Sequence, residues 1–232
     1  MTNEKSQFDQ AIEYLNKNDY TLAIVSFTEA LEKKEFSSKI HYYLAICYSN
    51  LKYFKEALEE IDLAFNEDID FESKLQLFHL KGYILFLQDK DTEALEAFKA
   101  AMNLEDNNQI AISGIAYYYF KKKDYKEAIN YYQKAYEMAP DNAKNKNNYG
   151  YLLAMNNENL NKAKKLCEEA LKSQPQNPAF LDSLAWSSYL LNNLKNAALA
   201  ITKAFKLAPN IDDIKNHYSE ISKKVKSILK KG

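Results

Sequence analysis

The side chains able to do acid–base, nucleophilic or metal chemistry are few in this chain and stand apart. There are three histidines, His41, His79 and His217. No two share the i, i+4 spacing that would place a pair of imidazoles on one helical face to hold a metal. Cys47 and Cys167 fall at apolar positions of a helical pattern. They read as small buried hydrophobes in a reducing compartment rather than as a disulfide. Gly82, Gly114 and Gly150 are isolated inside helical stretches and make no glycine-rich phosphate loop. Serines and aspartates abound, but no nucleophile, base and orienting group can be nominated as a set. All 31 basic residues are lysine, so the fork that grips phosphate or carboxylate in two places is missing. Lys121–Lys123 reads as a solvated turn. The expectation is no enzyme, no cofactor and no metal site, and function must be sought in surfaces.

Surfaces depend on the elements that carry them, and the segment YKEAINYYQKAYEMAP (125–140) shows the plan. Ala128 and Ala135, two helical turns apart, share one face with Tyr132 between them. Pro140 cannot continue the helix. Two small residues around one ring let a second helix come close and still fill the space. That partner is the helical stretch 109–120, joined by the polar turn Lys121–Asp124, so the unit is a helical hairpin. The hairpin recurs six times. The first alanine returns as Ala23, Ala57, Ala94, Ala128, Ala163 and Ala197, and the second as Ala30, Ala64, Ala101, Ala135, Ala170 and Ala204. Between them stand Phe27, Ile61, Phe98, Tyr132, Cys167 and Ile201. Upstream, a small residue returns as Ala11, Ala45, Gly82, Ala116, Gly150 and Ala185, and three positions later come Tyr14, Tyr48, Leu85, Tyr119, Leu153 and Ser188. Pro140, Pro175 and Pro209 close the last three copies.

A period near 34 residues with these offsets resembles the tetratricopeptide repeat (TPR) family. The resemblance covers about residues 4–211, in copies 4–37, 38–71, 75–108, 109–142, 143–177 and 178–211. Departures are modest. Glu35, Ile69 and Asp106 stand where proline would close the first three copies, and Gln10 and Lys81 replace an aliphatic residue before the small position. Glu72–Lys74 are three extra residues, expected to lengthen the junction between copies two and three. One extra residue near Asn156–Asn159 should lengthen the turn of copy five. Asp19 and Asp124 are placed to cap second helices. The fold implied is all-α: a right-handed superhelical solenoid of six TPR hairpins followed by a C-terminal capping helix over 212–232. In that tail Ile214, Tyr218, Ile221, Val225 and Ile228 form one apolar stripe, opposite a lysine-rich face. Its reading as a cap follows from the need to cover the last repeat's core, with docking on a partner or membrane surface as the rival reading.

Composition narrows function further. The net charge of −1 gives no general pull toward nucleic acid or anionic membrane. The start, MTNEKSQFDQ, lacks the apolar core of a signal peptide, and no apolar run is long enough to cross a bilayer. A cytoplasmic protein is expected, with a monomer favoured. The resemblance implies a concave groove lined by first helices that binds a peptide or helix of another protein, as a non-enzymatic scaffold or adaptor. Matching repeat positions gives a central row of Ile12, Ile46, Tyr83, Tyr117, Tyr151 and Trp186. One turn earlier lie Phe8, Tyr42, His79, Ser113, Asn147 and Asp182, and one turn later Leu15, Ser49, Phe86, Phe120, Ala154 and Tyr189. The candidate partner-binding residues are Tyr42, His79, Tyr83, Phe86, Tyr117, Asn147, Tyr151, Trp186 and Tyr189. Their large, stiff rings suit protein recognition, although rings in such an array also pack against each other. A clamp for a C-terminal carboxylate, as in some TPR co-chaperones, is not matched: Phe8, Ile12, Tyr43, Gln76 and Leu80 occupy its places. Lys5, Lys39 and Lys144 remain as lysines that could meet acidic side chains. The rival readings are a self-assembling structural or enzyme-regulatory subunit and, against the absence of arginine, an RNA-binding helical repeat.

Overall fold

The structure is a computed structural model and describes residues 6–33 and 37–229. Among these residues the chain forms thirteen α-helices and no strand. It divides into two compact units, Met1–Tyr118 and Tyr119–Gly232. The first unit holds α1 (Gln7–Asn16), α2 (Tyr20–Glu32), α3 (Ser37–Asn50), α4 (Phe54–Phe65), α5 (Phe71–Leu87), α6 (Asp91–Leu104) and most of α7 (Gln109–Lys121). The second holds the end of α7, then α8 (Tyr125–Met138), α9 (Ala143–Met155), α10 (Leu160–Ser173), α11 (Pro178–Leu190), α12 (Leu194–Leu207) and α13 (Asp212–Leu229). Within each unit the main contacts join helices adjacent in the chain, or next but one, as α3 with α5 and α9 with α11.

The recurring small residues are what let the helices close up. In the first unit Ala23, Ala30, Ala57, Ala64, Ala94 and Ala101 are buried, and Phe27, Ile61 and Phe98 fill the space between the members of each pair. In the second unit Ala128, Ala135, Ala163, Ala170, Ala197 and Ala204 do the same around Tyr132, Cys167 and Ile201. Phe98 has a special seat: a methyl group added at Gly82 would lie 2.6 Å from its ring, and one at Gly114 2.7 Å. At Gly150 the obstacle is main chain, the Ala163 carbonyl oxygen at 2.8 Å. Cys47 and Cys167 are free and buried, and burial pushes both thiols up to about 12.

Each hairpin turn has one design. Asn18, Lys52, Asp89, Lys123, Asn157 and Asn192 take the left-handed conformation, with φ between 55° and 65°. The following residue donates its N–H to the carbonyl five positions back, as Asp19 to Tyr14, Tyr53 to Tyr48, Lys90 to Leu85 and Asn193 to Ser188. The left-handed residue itself donates three positions back, as Asn18 to Leu15 and Lys52 to Ser49. This is the paired closure that satisfies the last carbonyls of a helix. Asp19 and Asp124 cap α2 and α8, accepting from the Leu22 and Glu127 N–H groups. The α9–α10 turn, where the extra residue falls, carries a second left-handed residue, Asn159, whose side chain caps α10.

Glu72–Lys74 do not lengthen a junction. They form part of the first turn of α5, a helix of 17 residues where α3 has 14. The cause is Asp70, whose carboxylate accepts the Ser73 N–H at 2.7 Å and the Ser73 hydroxyl at 3.1 Å, starting the helix early. In α13, Ile214 and Ile221 are buried against α12, Tyr218 stacks on Phe205 at 4.4 Å, and Val225 packs at the margin. The stripe covers the last hairpin except at Ile228, which is 48% exposed.

Candidate functional site

In the first unit, α1, α3, α5 and the start of α7 line two neighbouring hollows. One, of about 740 Å³, is bordered by Phe8, Asp9, Lys39, Tyr42, Tyr43, Asp70, Glu72, Ser73 and Gln76. The other, of about 750 Å³, is bordered by Tyr42, Tyr43, Ile46, Glu72, Gln76, His79, Tyr83, Glu105 and Asn108. Tyr42, Tyr43, Glu72 and Gln76 border both, so the two form one trough along the first helices. Tyr42 meets Tyr43 edge-on at 5.4 Å, and burial pushes its phenol above the ordinary range. Tyr83 is 56% exposed. Phe86 packs on Phe98 at 5.6 Å and edge-on against Tyr117 at 5.1 Å; Tyr117 is 41% exposed. The structure therefore brings Tyr42, His79 and Tyr83 to one trough and sets Phe86 and Tyr117 together as a neighbouring aromatic pair.

The trough is more acidic than the aromatic row alone suggests. Among the described residues, Asp9, Asp70, Glu72 and Glu105 line it against one cation, Lys39. The Ser73 backbone N–H, followed by its hydroxyl, holds the Asp70 carboxyl below the usual range, so it stays ionised. Sequence reasoning missed these acids because each lies at a helix end, Asp9, Asp70 and Glu72 at a start and Glu105 at the close of α6. There a carboxylate is ordinarily explained by capping or by the helix dipole. The same acids oppose a C-terminal carboxylate ligand. Lys144 is exposed in the second unit, and Lys5 lies outside the described residues.

His79 is tied into this lining. Its Nε2 lies 2.7 Å from Asn108 Oδ1, which also accepts the Ala111 N–H, while Asn108 Nδ2 donates to Glu105. Burial lowers the imidazole below its ordinary 6.5, outweighing the hydrogen bond that favours the charged form. The folded state thus prefers neutral His79, whereas the unfolded chain takes up a proton near 6.5. This contribution to stability is complete above that pH and is lost as pH falls through the lowered folded value. The urea midpoint of the wild type is expected to drop more on acidification than that of His79→Gln. Parallel curves for the two proteins would show that His79 is not a source of the pH dependence.

In the second unit the expected groove residues meet α13. His217 stacks on Trp186 at 4.2 Å, and its Nδ1 sits 2.9 and 3.0 Å from the two oxygens of Asp182. Trp186 also stacks on Tyr189 at 5.3 Å. Tyr151 lies between Phe120 at 6.3 Å and His217 at 6.4 Å, and burial raises its phenol well above the ordinary range. Asn147 is only 5% exposed, and its Oδ1 has no hydrogen-bond partner. These rings are engaged by α13, unlike Tyr83 in the first unit. The remaining histidine, His41, is buried, with Nδ1 2.6 Å from Glu60 Oε2. Among the described residues no group of three or more His, Cys, Asp or Glu side chains could hold a metal ion. No described helix is long and apolar enough to cross a membrane.

Paired helices closed by one repeated turn, with first helices lining a trough, define a helical-hairpin repeat protein. Sequence profiles of the tetratricopeptide repeat match residues 8–66, 92–143 and 119–186, and the chain belongs to the tetratricopeptide repeat family. It is 26% identical over 135 residues to a TPR repeat-containing protein of Methanocaldococcus jannaschii, covering 58% of this chain and 23% of that protein. It is 30% identical over 105 residues to the small glutamine-rich tetratricopeptide repeat-containing protein 2 of Saccharomyces cerevisiae, covering 45% and 30%. The matches thus span under a third of these relatives' own length. Among solved structures it is similar to pilF of Pseudomonas aeruginosa, with TM-score 0.75 over 92% of this chain and 96% of that one at 18% identity. YrrB, a TPR protein with an unusual peptide-binding site, matches with TM-score 0.56 over 82% of this chain and 96% of that one at 19% identity. These structural likenesses establish the fold, and the family is one whose members generally mediate protein–protein interactions.

Proposed function

We propose that this protein is a non-enzymatic adaptor that binds an extended segment of a partner protein in the trough of its first unit. The observation that supports the reading is the trough itself: two adjoining hollows of about 740 and 750 Å³ along successive first helices, with accessible tyrosine and a surplus of carboxylates. An extended segment follows such a trough, its apolar side chains meeting Tyr42 and Tyr83. Its lysines or arginines meet Asp9, Asp70, Glu72 and Glu105. The peptide-binding site of the structural neighbour YrrB is in keeping with this mode. Tyr117, Phe86, Asn147, Tyr151, Trp186 and Tyr189 remain proposed groove residues. In the second unit a ligand would have to share Trp186 and Tyr151 with His217.

The test is a peptide array probed with the wild type and with Glu72→Lys/Tyr83→Ala. Both side chains are exposed, so the variant keeps its helical content. Peptides combining an apolar residue with lysine or arginine are expected to bind the wild type and to lose about tenfold or more in affinity with the variant. Binding that survives both substitutions, or selection of acidic peptides, would reject the trough as the site.

A further inference from the structure

A second surface, independent of the trough, lies at the last hairpin. The N-terminal turns of α12 and the C-terminal turns of α13 leave a slot of about 330 Å³, bordered by Leu194, Lys195, Ala198, Leu199, Val225 and Ile228. It continues along α12 as a hollow of about 350 Å³ past Thr202, Lys203 and Lys206. Leu199 is 64% exposed. At the same repeat position the five preceding second helices carry Val25, Glu59, Glu96, Asn130 and Lys165, four of them polar, so the repeat does not need an apolar residue there. Leu199 and Ile228 thus make an apolar floor that hairpin packing does not account for.

The charge around this floor is one-sided. Residues 194–232 contain nine lysines and three acidic residues, and α12 contains no acid at all. The chain as a whole is −1, so its C-terminal end is basic while the remainder is acidic. Lys195 borders the slot itself, and Lys203 and Lys206 border its continuation along α12. A second copy docking here by two-fold symmetry would bring like charges together. A bilayer surface would also meet Leu199, and the vesicle arm of the experiment below distinguishes it. We propose that this slot receives an amphipathic helix of a partner protein whose apolar ridge is flanked by Asp and Glu. The ridge, at i, i+3 or i+4 and i+7, fills the slot between Leu194, Leu199 and Ile228, and the flanking carboxylates meet Lys195, Lys203 and Lys206.

The experiment uses the full chain and a synthetic amphipathic helix with a leucine ridge and glutamate flanks, followed by fluorescence anisotropy. A second peptide keeps the ridge and carries lysine flanks. The glutamate peptide is expected to bind, to weaken with added salt, and to lose about tenfold or more with Leu199→Glu. The trough variant Glu72→Lys/Tyr83→Ala is expected to bind it like the wild type, which separates this surface from the trough. Leu199→Glu changes an exposed side chain, and an unchanged circular dichroism spectrum confirms that it folds. Equal binding of both peptides, no binding of either, or no effect of Leu199→Glu would overturn the proposal. So would Leu199-dependent capture by phosphatidylserine vesicles, or a Leu199-dependent dimer in sedimentation, in place of glutamate-peptide binding.

Discussion

Phe98→Ala is expected to destabilise the first unit by about 3–5 kcal/mol, the range for emptying the seat of a buried phenylalanine. The seat is unusually confined. The ring lies against the bare backbone of Gly82 in α5 and Gly114 in α7, with Phe86 at 5.6 Å. Helix backbones cannot collapse into the space as side chains can, so the hole persists. Denaturation in urea followed by far-ultraviolet circular dichroism measures the loss. A companion variant separates cavity from chemistry: adding Gly82→Ala and Gly114→Ala returns two methyl groups to the hole. It also raises helix propensity by up to about 1 kcal/mol per site, so the triple variant should recover part of the stability. A loss below about 1 kcal/mol in the single variant would mean that the seat refills and that the glycines are incidental.

Gly150→Val should have the second largest effect, a loss of about 3 kcal/mol from overpacking. The first branch atom would lie 2.8 Å from the Ala163 carbonyl oxygen, 3.0 Å from Leu166 Cβ and 3.0 Å from Cys167 Sγ. The carbonyl belongs to α10 itself and moves only if the whole helix moves. Trp186, in the same unit, supplies a fluorescence probe beside circular dichroism. An unchanged or raised midpoint would show that α9 and α10 can part without cost. Gly150→Ala is the finer test, because helix propensity favours alanine by about 1 kcal/mol while the contact opposes it.

These two sites show how far the sequence could be read and where it stopped. The small positions were visible because they recur, and the repeat named Gly82 and Gly150 as equivalents of Ala11 and Ala45. It did not show that alanine would be too large there, since a recurring position states a size class and not a distance. Gly114 lies outside the recurring positions, and its role rests on one ring from another hairpin. The start of α5 was misplaced for a local reason: Asp70 caps it, and the expected junction became helix. Tyr42, His79 and Tyr83 line one trough, and the carboxylates beside them went unread. Trp186 and Tyr151 were placed on first helices but not against His217, because stacking on the tail is a tertiary contact with no periodic signature.

Among the described residues the main helix contacts reach no further than the next helix but one. Ordering each hairpin therefore closes only a short loop, and the entropy of loop closure stays small throughout. Low contact order favours rapid folding, and a repeat array can start wherever a hairpin first forms. During synthesis each hairpin can pack as soon as its second helix emerges, without waiting for the C-terminus. The same locality divides the risk: damage at Phe98 is felt first by the hairpins that touch it, so unfolding can proceed in stages instead of as a single event.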